Sequence, residues 1–296
     1  MTAFSAVQQY SGWSLTARDP AAIERILPIW EWLYTHYFRV QTDGWEHIPD
    51  SQVLFVGSHN GGLASPDLPM FMVDWFRRYG LERTVYGLMH PGVWKIAPQL
   101  GQMGAKLGAI QAHPKMAFAA FQTGASVLVY PGGARDLFRP HRLRARIHLT
   151  GNTAFIKVAL RQGVPIVPVI SAGAHDTVVV LEDCYEQVKA LHDRGLVPWL
   201  FNVDPEVFPI YLGLPWGLGV GPIPNLPLPI QIRTRVCSPI EFDRYGSAAA
   251  RDRDYVQQCY KHVVNHMQRS LDNLIAAPLQ NSLAAPQELQ PASKSD

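Results

Sequence analysis

Val53-Leu54-Phe55-Val56-Gly57-Ser58-His59-Asn60-Gly61-Gly62-Leu63-Ala64-Ser65-Pro66-Asp67 is the stretch that decides how this chain is read. Its first four residues read as a buried strand, which stops at Gly57 and empties a lone imidazole into a glycine-rich loop. Many α/β enzymes hold a general base in such a place. Ser65 suits the cap of a helix and Pro66 its first turn, so Asp67 is expected beside the helix N-terminus. An acid there can orient an imidazole and stabilise the imidazolium that forms when it accepts a proton. The plainer alternative is a structural histidine in a tight turn, and this segment leaves both readings open.

Outward from this segment, strands and helices alternate. Gln52–Val56, Thr84–Leu88, Lys106–Ile110, Ser126–Tyr130 and Val164–Ile170 read as strands. Pro66–Tyr79, Val93–Leu100, Pro114–Gln122 and Asn152–Arg161 read as helices. Continuous apolar strands separated by helical patterns predict a single α/β domain, its mostly parallel sheet flanked by helices. Upstream, Asp19-Pro20 opens a helical pattern with Ile23, Ile26, Leu27, Trp30, Leu33, Tyr34 and Tyr37 on one stripe. Pro28 is expected to kink it. Ile29, Trp32 and Phe38 fall off the stripe, which fits either a helix buried on two sides or one resting at a lipid interface. Residues 1–44 therefore read as an N-terminal amphipathic helical segment.

Downstream the texture changes. Nine of the 24 prolines lie between Pro198 and Pro239, so Leu212–Pro229 cannot be a regular helix. It is too apolar for a solvated linker, and is expected to pack as irregular coil or to rest on an apolar partner. Gln231–Val236 alternates like an edge strand, Asp252–Leu274 reads as a terminal helix, and 278–296 as a disordered tail.

A second constellation is Val127-Leu128-Val129-Tyr130-Pro131-Gly132-Gly133-Ala134-Arg135-Asp136. Another buried strand ends in a glycine pair, now followed by a cation and an acid. Glycines let backbone N–H groups approach an anion or a developing oxyanion, and Arg135 can contact a phosphate or carboxylate through two bonds. By itself Pro-Gly-Gly is also a plain turn. Arg135, Arg139, His141, Arg142, Arg144, Arg146 and His148 make the densest basic stretch, read as a local anion-binding surface against a solvated-face alternative. Its candidate anions are coenzyme A phosphates, an acyl carrier protein or lipid headgroups.

Composition narrows the class. At 296 residues, 47% hydrophobic, 17% charged and net +2, the chain is globular, charge-poor and without the basicity that suggests nucleic acid. Cys184, Cys237 and Cys259 are scattered, which fits a reducing compartment and offers no zinc spacing. Met1–Leu15 lacks a signal-peptide pattern, and no apolar run reaches the ~18–20 residues of a membrane-spanning helix. There is no Gly-x-Ser-x-Gly elbow, no dinucleotide fingerprint and no P-loop, so no cofactor is expected. What remains is a base, an acid to orient it, a glycine-lined anion site and a basic surface. That set suits deprotonation of a hydroxyl for direct attack on an activated acyl carbonyl.

From about Trp45 to Ile240 the chain resembles the lysophospholipid/glycerolipid acyltransferase superfamily. The nearest branch looks like that of monoacylglycerol and diacylglycerol acyltransferases and phytyl ester synthases. Gly44-Trp45-Glu46-His47-Ile48-Pro49 is similar to the lead-in before that family's first strand. Ser58-His59-Asn60-Gly61-Gly62 corresponds to the block whose His is the catalytic base, and Lys106–Lys115 takes the place of the second block. Tyr130-Pro131-Gly132-Gly133-Ala134-Arg135-Asp136 resembles a Pro-Gly-Gly-Ala-Arg-Glu block, and Gly163-Val164-Pro165-Ile166-Val167-Pro168-Val169 the Val-Pro-x-Val-Pro strand.

The resemblance implies an acyltransferase domain over 45–277, with His59 and Asp67 catalytic and Gly61, Gly62, Gly132, Gly133, Arg135 and Asp136 binding substrate. It implies an acyl-CoA or acyl-carrier-protein donor, a lipid alcohol acceptor, and peripheral attachment to the cytoplasmic side of a membrane, with no metal, cofactor or nucleic acid. Two departures carry information. The family's first block has four residues between His and Asp, whereas here position 64 is Ala and the nearest acid is Asp67. The phosphate-using members have Glu where this chain has Gly132, which favours a neutral alcohol such as diacylglycerol, phytol or a quinol over lysophosphatidate.

Overall fold

The computed structural model describes residues 10–199 and 202–277; the tail 278–296 lies outside the described residues. The strands are β1 Gln41–Asp43, β2 Leu54–Gly57, β3 Val85–Met89, β4 Ala109–Gln111, β5 Ser126–Val129, β6 Ile166–Ala172, β7 Val179–Asp183, β8 Pro209–Gly213, β9 Gly217–Val220 and β10 Arg233–Val236. Seven of them form one sheet in the order β1-β10-β6-β2-β5-β3-β4. The run β6-β2-β5-β3-β4 is parallel throughout, and β10 closes antiparallel onto β6. The expected α/β fold with a mostly parallel sheet is the observed one.

Strand residues alternate between two cores, as a period of two demands of a sheet covered on both faces. Leu54, Val56 and Val127 pack with the helices Pro114–Gln122, Ala154–Gln162 and Arg253–Ala276 through Phe121, Ile156 and Val263. Val53, Phe55 and Leu128 face the other way, onto Phe71 and Trp75 of the helix Asp67–Tyr79 and Ile23 of the helix Pro20–Trp32. The N-terminal helix thus contributes to the core, and β1 lengthens the main sheet.

Four expectations are revised. The helix from Pro20 runs through Pro28 to Trp32 and then widens into a π turn, Leu33–Tyr37; Phe38 is buried, while Ile29 and Trp32 stay exposed. The helix expected over Val93–Leu100 is two, Pro91–Ile96 and Pro98–Lys106, because Pro98 drives Ala97 out of the helical region (φ −132°, ψ 70°). Strand β10 is not an edge, since β1 pairs along its outer side.

The fourth revision concerns Leu212–Pro229, expected as coil. Much of it is a hairpin, β8–β9, completing a three-stranded antiparallel sheet with β7. Tyr211 points inward, and glycine at 219 makes room for it: a Cβ there would stand 2.4 Å from the Tyr211 ring. The prolines cause no conflict because Pro209 begins its strand and Pro215 sits in the turn. On the outward face Ile210 lies opposite Val220 and Leu212 opposite Leu218, an apolar surface turned to solvent.

Candidate active site

Register brings the two glycine-ended strands together. Val56 pairs with Val129 in the parallel ladder β2–β5, so Gly57 and Tyr130 leave the sheet side by side at the strand C-termini. Open α/β sheets bind ligands at that edge. A Cβ on Gly57 would stand 2.3 Å from the Tyr130 ring; glycine lets that ring slide in and stack on His59, centroids 4.4 Å apart. Burial raises the Tyr130 hydroxyl well above the ordinary phenol value, helped by the Asp67 charge, so it stays neutral.

The imidazole is partly exposed, with 19% of its side chain open to solvent, while Asp67 is 2% exposed. His59 Nδ1 lies 3.0 Å from Ser65 Oγ, and Ser65 Oγ lies 3.1 Å from Asp67 Oδ1. The direct distance from Nδ1 to Asp67 Oδ1 is 3.9 Å, outside hydrogen-bond range. Asp67 also accepts from the Leu68 N–H at 3.0 Å and from Asn60 Nδ2 at 3.1 Å. It starts the helix Asp67–Tyr79, where the helix dipole favours its charge.

Below the imidazole is a second polar layer. Asp136, fully buried, accepts from the His59 N–H at 2.5 Å and from Ser58 Oγ at 3.1 Å. Arg139, also buried, donates to Asp136 Oδ1 at 2.9 Å, to the His59 carbonyl at 2.7 Å and to Asn60 Oδ1 at 2.5 Å. Burial pushes the Asp136 carboxyl above its ordinary value, and the Arg139 charge pulls it back. The loop after β5 therefore holds the loop after β2 from beneath.

These contacts place the expected binding residues differently from one another. Asp136 is not placed to touch substrate, because its carboxylate is consumed by the His59 loop and shielded from solvent. Gly132 is a packing glycine: a Cβ there would stand 2.3 Å from that of Asp136 and 2.4 Å from the His148 carbonyl. Gly61 (φ 83°) is pressed against Pro66, Thr177 and Ala174, and Gly62 (φ 62°) faces Asn225. Only Gly133 of these four has open space where a side chain would be. Arg135 is exposed and bears no ion pair among the described residues. Its guanidinium stands 5.7 Å from the Tyr185 ring, beside a cavity of about 190 Å³ that His148 and Tyr185 also line.

The basic stretch is smaller than its sequence suggests. Arg139 is internal, Arg142 pairs with Glu182 at 2.8 Å, and His141 and Arg144 share Asp176 at 2.8 and 3.4 Å. Arg135, Arg146 and His148 remain for an external anion. Among the described residues no cluster of His, Cys, Asp and Glu could hold a metal ion.

Residues 39–172 match the family described as Acyltransferase. The matched stretch runs from β1 through β6 and so contains His59, Asp67 and the whole Gly132–Asp136 turn. The chain is also similar to uncharacterized proteins of Mycobacterium tuberculosis (28% identical over 252 residues) and Mycobacterium leprae (26% over 251). Each match covers 85% of this chain; it spans 66% of the first relative and 64% of the second. Among solved structures, the 1-acyl-sn-glycerophosphate acyltransferase PlsC of Thermotoga maritima is similar at 16% identity and a TM-score of 0.49, over 86% of this chain and 81% of that one.

Sequence reading missed several parts of this site. Ser65 was expected to cap a helix; instead it adopts a left-handed conformation (φ 41°) and its hydroxyl turns to His59. Tyr130 was read only as a strand end, and Arg139 only as one of many cations. Their one sequence signal was position: Tyr130 ends the strand expected to adjoin that of His59, and Arg139 lies three residues after Asp136, about one turn further along the chain.

Proposed function

We propose that this protein is an O-acyltransferase that moves a fatty acyl group from an acyl-CoA or acyl-carrier-protein thioester to a lipid hydroxyl. The observation that carries the reading is the arrangement at His59. Its Nδ1 is tied inward through Ser65 to a buried carboxylate, which leaves Nε2 as the free base on a partly exposed ring. Nε2 takes the proton of the acceptor hydroxyl as its oxygen bonds to the acyl carbon. The carbon–sulfur bond then breaks, and the departing thiolate takes the proton from the imidazolium. Asp67 stabilises that imidazolium, Gly133 offers backbone at an open position, and Arg135 supplies positive charge for the donor.

A neutral acceptor such as diacylglycerol, phytol or a quinol is favoured over lysophosphatidate or another lysophospholipid. The space at Gly132 is filled by Asp136 and the His148 carbonyl, so no side chain at that position can recognise a phosphate. A lipid hydrolase or a non-catalytic lipid-binding protein are the rival classes. Incubation of the protein with an acyl thioester, with and without a lipid alcohol, separates them. The transferase forms ester only with the alcohol; a hydrolase releases acid at one rate in both; a binding protein turns over neither.

The same reading includes a peripheral membrane site. No helix among the described residues is long and apolar enough to cross a membrane. The outward face of β8–β9 exposes Leu212, Leu218 and Val220, with Trp216 60% exposed at its tip. The π turn meets this region, as Tyr37 Oη donates to the Pro227 carbonyl at 2.7 Å, and Trp32 stands exposed beside it. The apolar groups at Trp32 and at Trp216 would rest on lipid, and Asn225, downstream of Trp216, packs beside Gly62 of the His59 loop. Flotation with anionic liposomes at low salt tests it: the protein rises with the vesicles, and protein left at the bottom refutes attachment.

A further inference from the structure

The distance of 3.9 Å between His59 Nδ1 and Asp67 Oδ1 leaves the two groups without direct contact, and one hydroxyl fills the gap. The carboxylate of Asp67 offers only acceptors. Its Oδ1 takes the Leu68 N–H, its Oδ2 takes the Asn60 amide, and the remaining donor within reach is Ser65 Oγ. A serine hydroxyl has a single proton. Once that proton points to the carboxylate, the oxygen can only accept from Nδ1, and the imidazole must carry its own proton there.

Ser65 holds this place against its backbone preference. Its φ of 41° and ψ of 56° lie in the left-handed region that non-glycine residues seldom occupy, and its side chain is what such a residue is kept for. Gly61 and Gly62, both at positive φ, and Pro66 shape the loop around it. The chain then runs from Arg139 to Asn60, to Asp67, to Ser65 and to His59, linking the two loops through hydrogen bonds of 2.5 to 3.1 Å.

We propose that Ser65 is the positioning residue through which Asp67 acts on His59. Its hydroxyl accepts the Nδ1–H and passes the pull of the carboxylate to the ring, which fixes the tautomer with Nε2 unprotonated. No proton crosses the relay: Nδ1 keeps its hydrogen while Nε2 takes and returns one. The proposal rests on the acyl-transfer reading for what Nε2 does, but the proton positions themselves stand apart from any activity.

The test uses ¹⁵N-imidazole spectra of the full chain with Ser65→Ala, Ser65→Gly and Asp67→Asn variants, alongside steady-state kinetics. The wild-type resonance of His59, assigned by its loss in His59→Ala, is expected to show the Nδ1–H tautomer. Ser65→Ala and Ser65→Gly lose that preference equally, although glycine relieves the backbone and alanine does not. Both lower kcat by about 10–100-fold, the scale for losing an outer hydrogen-bond partner of a functional histidine and less than the ~10⁴-fold for loss of an orienting carboxylate itself, with KM little changed. Asp67→Asn shifts the tautomer in the wild-type background and does nothing further in Ser65→Ala. An unchanged tautomer in Ser65→Ala, or wild-type kcat in Ser65→Gly, overturns the relay. So does an acyl group recovered on Ser65, which would make it the nucleophile. Full transfer by His59→Ala would instead refute the acyl-transfer reading and leave the tautomer result intact.

Discussion

Replacing Arg139 with Ala removes the cation on which the whole site rests. The guanidinium is 3% exposed and meets Asp136 Oδ1 at 2.9 Å, the His59 carbonyl at 2.7 Å and Asn60 Oδ1 at 2.5 Å. Its loss leaves a buried carboxylate without its counter-charge, which costs about 3–5 kcal/mol. Each buried acceptor stripped of its donor adds ~1 kcal/mol or more. The sum is a large share of the ~5–15 kcal/mol that holds a typical domain together. The sign of the pH dependence follows from Asp136. Burial holds its carboxyl above the ordinary value of 3.8, so the native state keeps that proton at pH values where the unfolded chain has lost it. Its contribution to stability therefore falls as pH rises through that interval. Without Arg139 the native value climbs further and the interval extends upward, so the Arg139→Ala deficit grows from acid toward neutral pH. Urea denaturation at a series of pH values measures it, with Asp136→Asn as the second arm, in which the cost of removing Arg139 shrinks. A deficit under about 1 kcal/mol at neutral pH, or one equal at all pH values, refutes the account of this layer.

Three further outcomes follow from other contacts. Gly57→Ala places a methyl where the Tyr130 ring stands, so it destabilises by about 1–3 kcal/mol and lowers turnover; in a Tyr130→Ala background the stability penalty disappears, as thermal or urea unfolding will register. His175 is buried and neutral, its imidazole pushed down to about 3 by burial and then by Arg139. As pH falls from the unfolded value of 6.5 toward about 3, the unfolded chain takes up a proton that the fold refuses, and stability drops; His175→Gln flattens that part of the unfolding profile. Trp216→Asp with Leu218→Asp, both on exposed positions, leaves far-UV circular dichroism unchanged and lowers liposome flotation several-fold.

How much of this the chain revealed differs by element. β2, β5 and β6 were legible because they are apolar runs bounded by glycine and proline, a signal that survives without partners, whereas the short polar β1 fell inside the stretch read as helical and β4 begins at Ala109, after Lys106 has ended a helix. The helix Pro114–Gln122 was legible to its last residue, since proline opens it and Thr123-Gly124 closes it. The hairpin β8–β9 was hidden: its inward face is Tyr211 among glycines, and its outward face is apolar, so no polar alternation marked a strand. His59 stood out because an imidazole after a buried strand is conspicuous. Asp136 and Arg139 did not reveal their role, because a buried ion pair and a solvated charged surface are written in the same residues. The left-handed Ser65 was invisible for a similar reason, as a serine before Pro66 reads first as a helix cap.

The central claim is that His59 Nε2 removes the proton of a lipid hydroxyl so that its oxygen attacks an acyl thioester. Ester formation from radiolabelled acyl thioester and a panel of lipid alcohols, compared between wild type and a folded His59→Ala protein, tests it most directly. The account predicts ester from the wild type and a loss of ~10²–10⁴-fold in the variant. Undiminished ester formation by His59→Ala would contradict it.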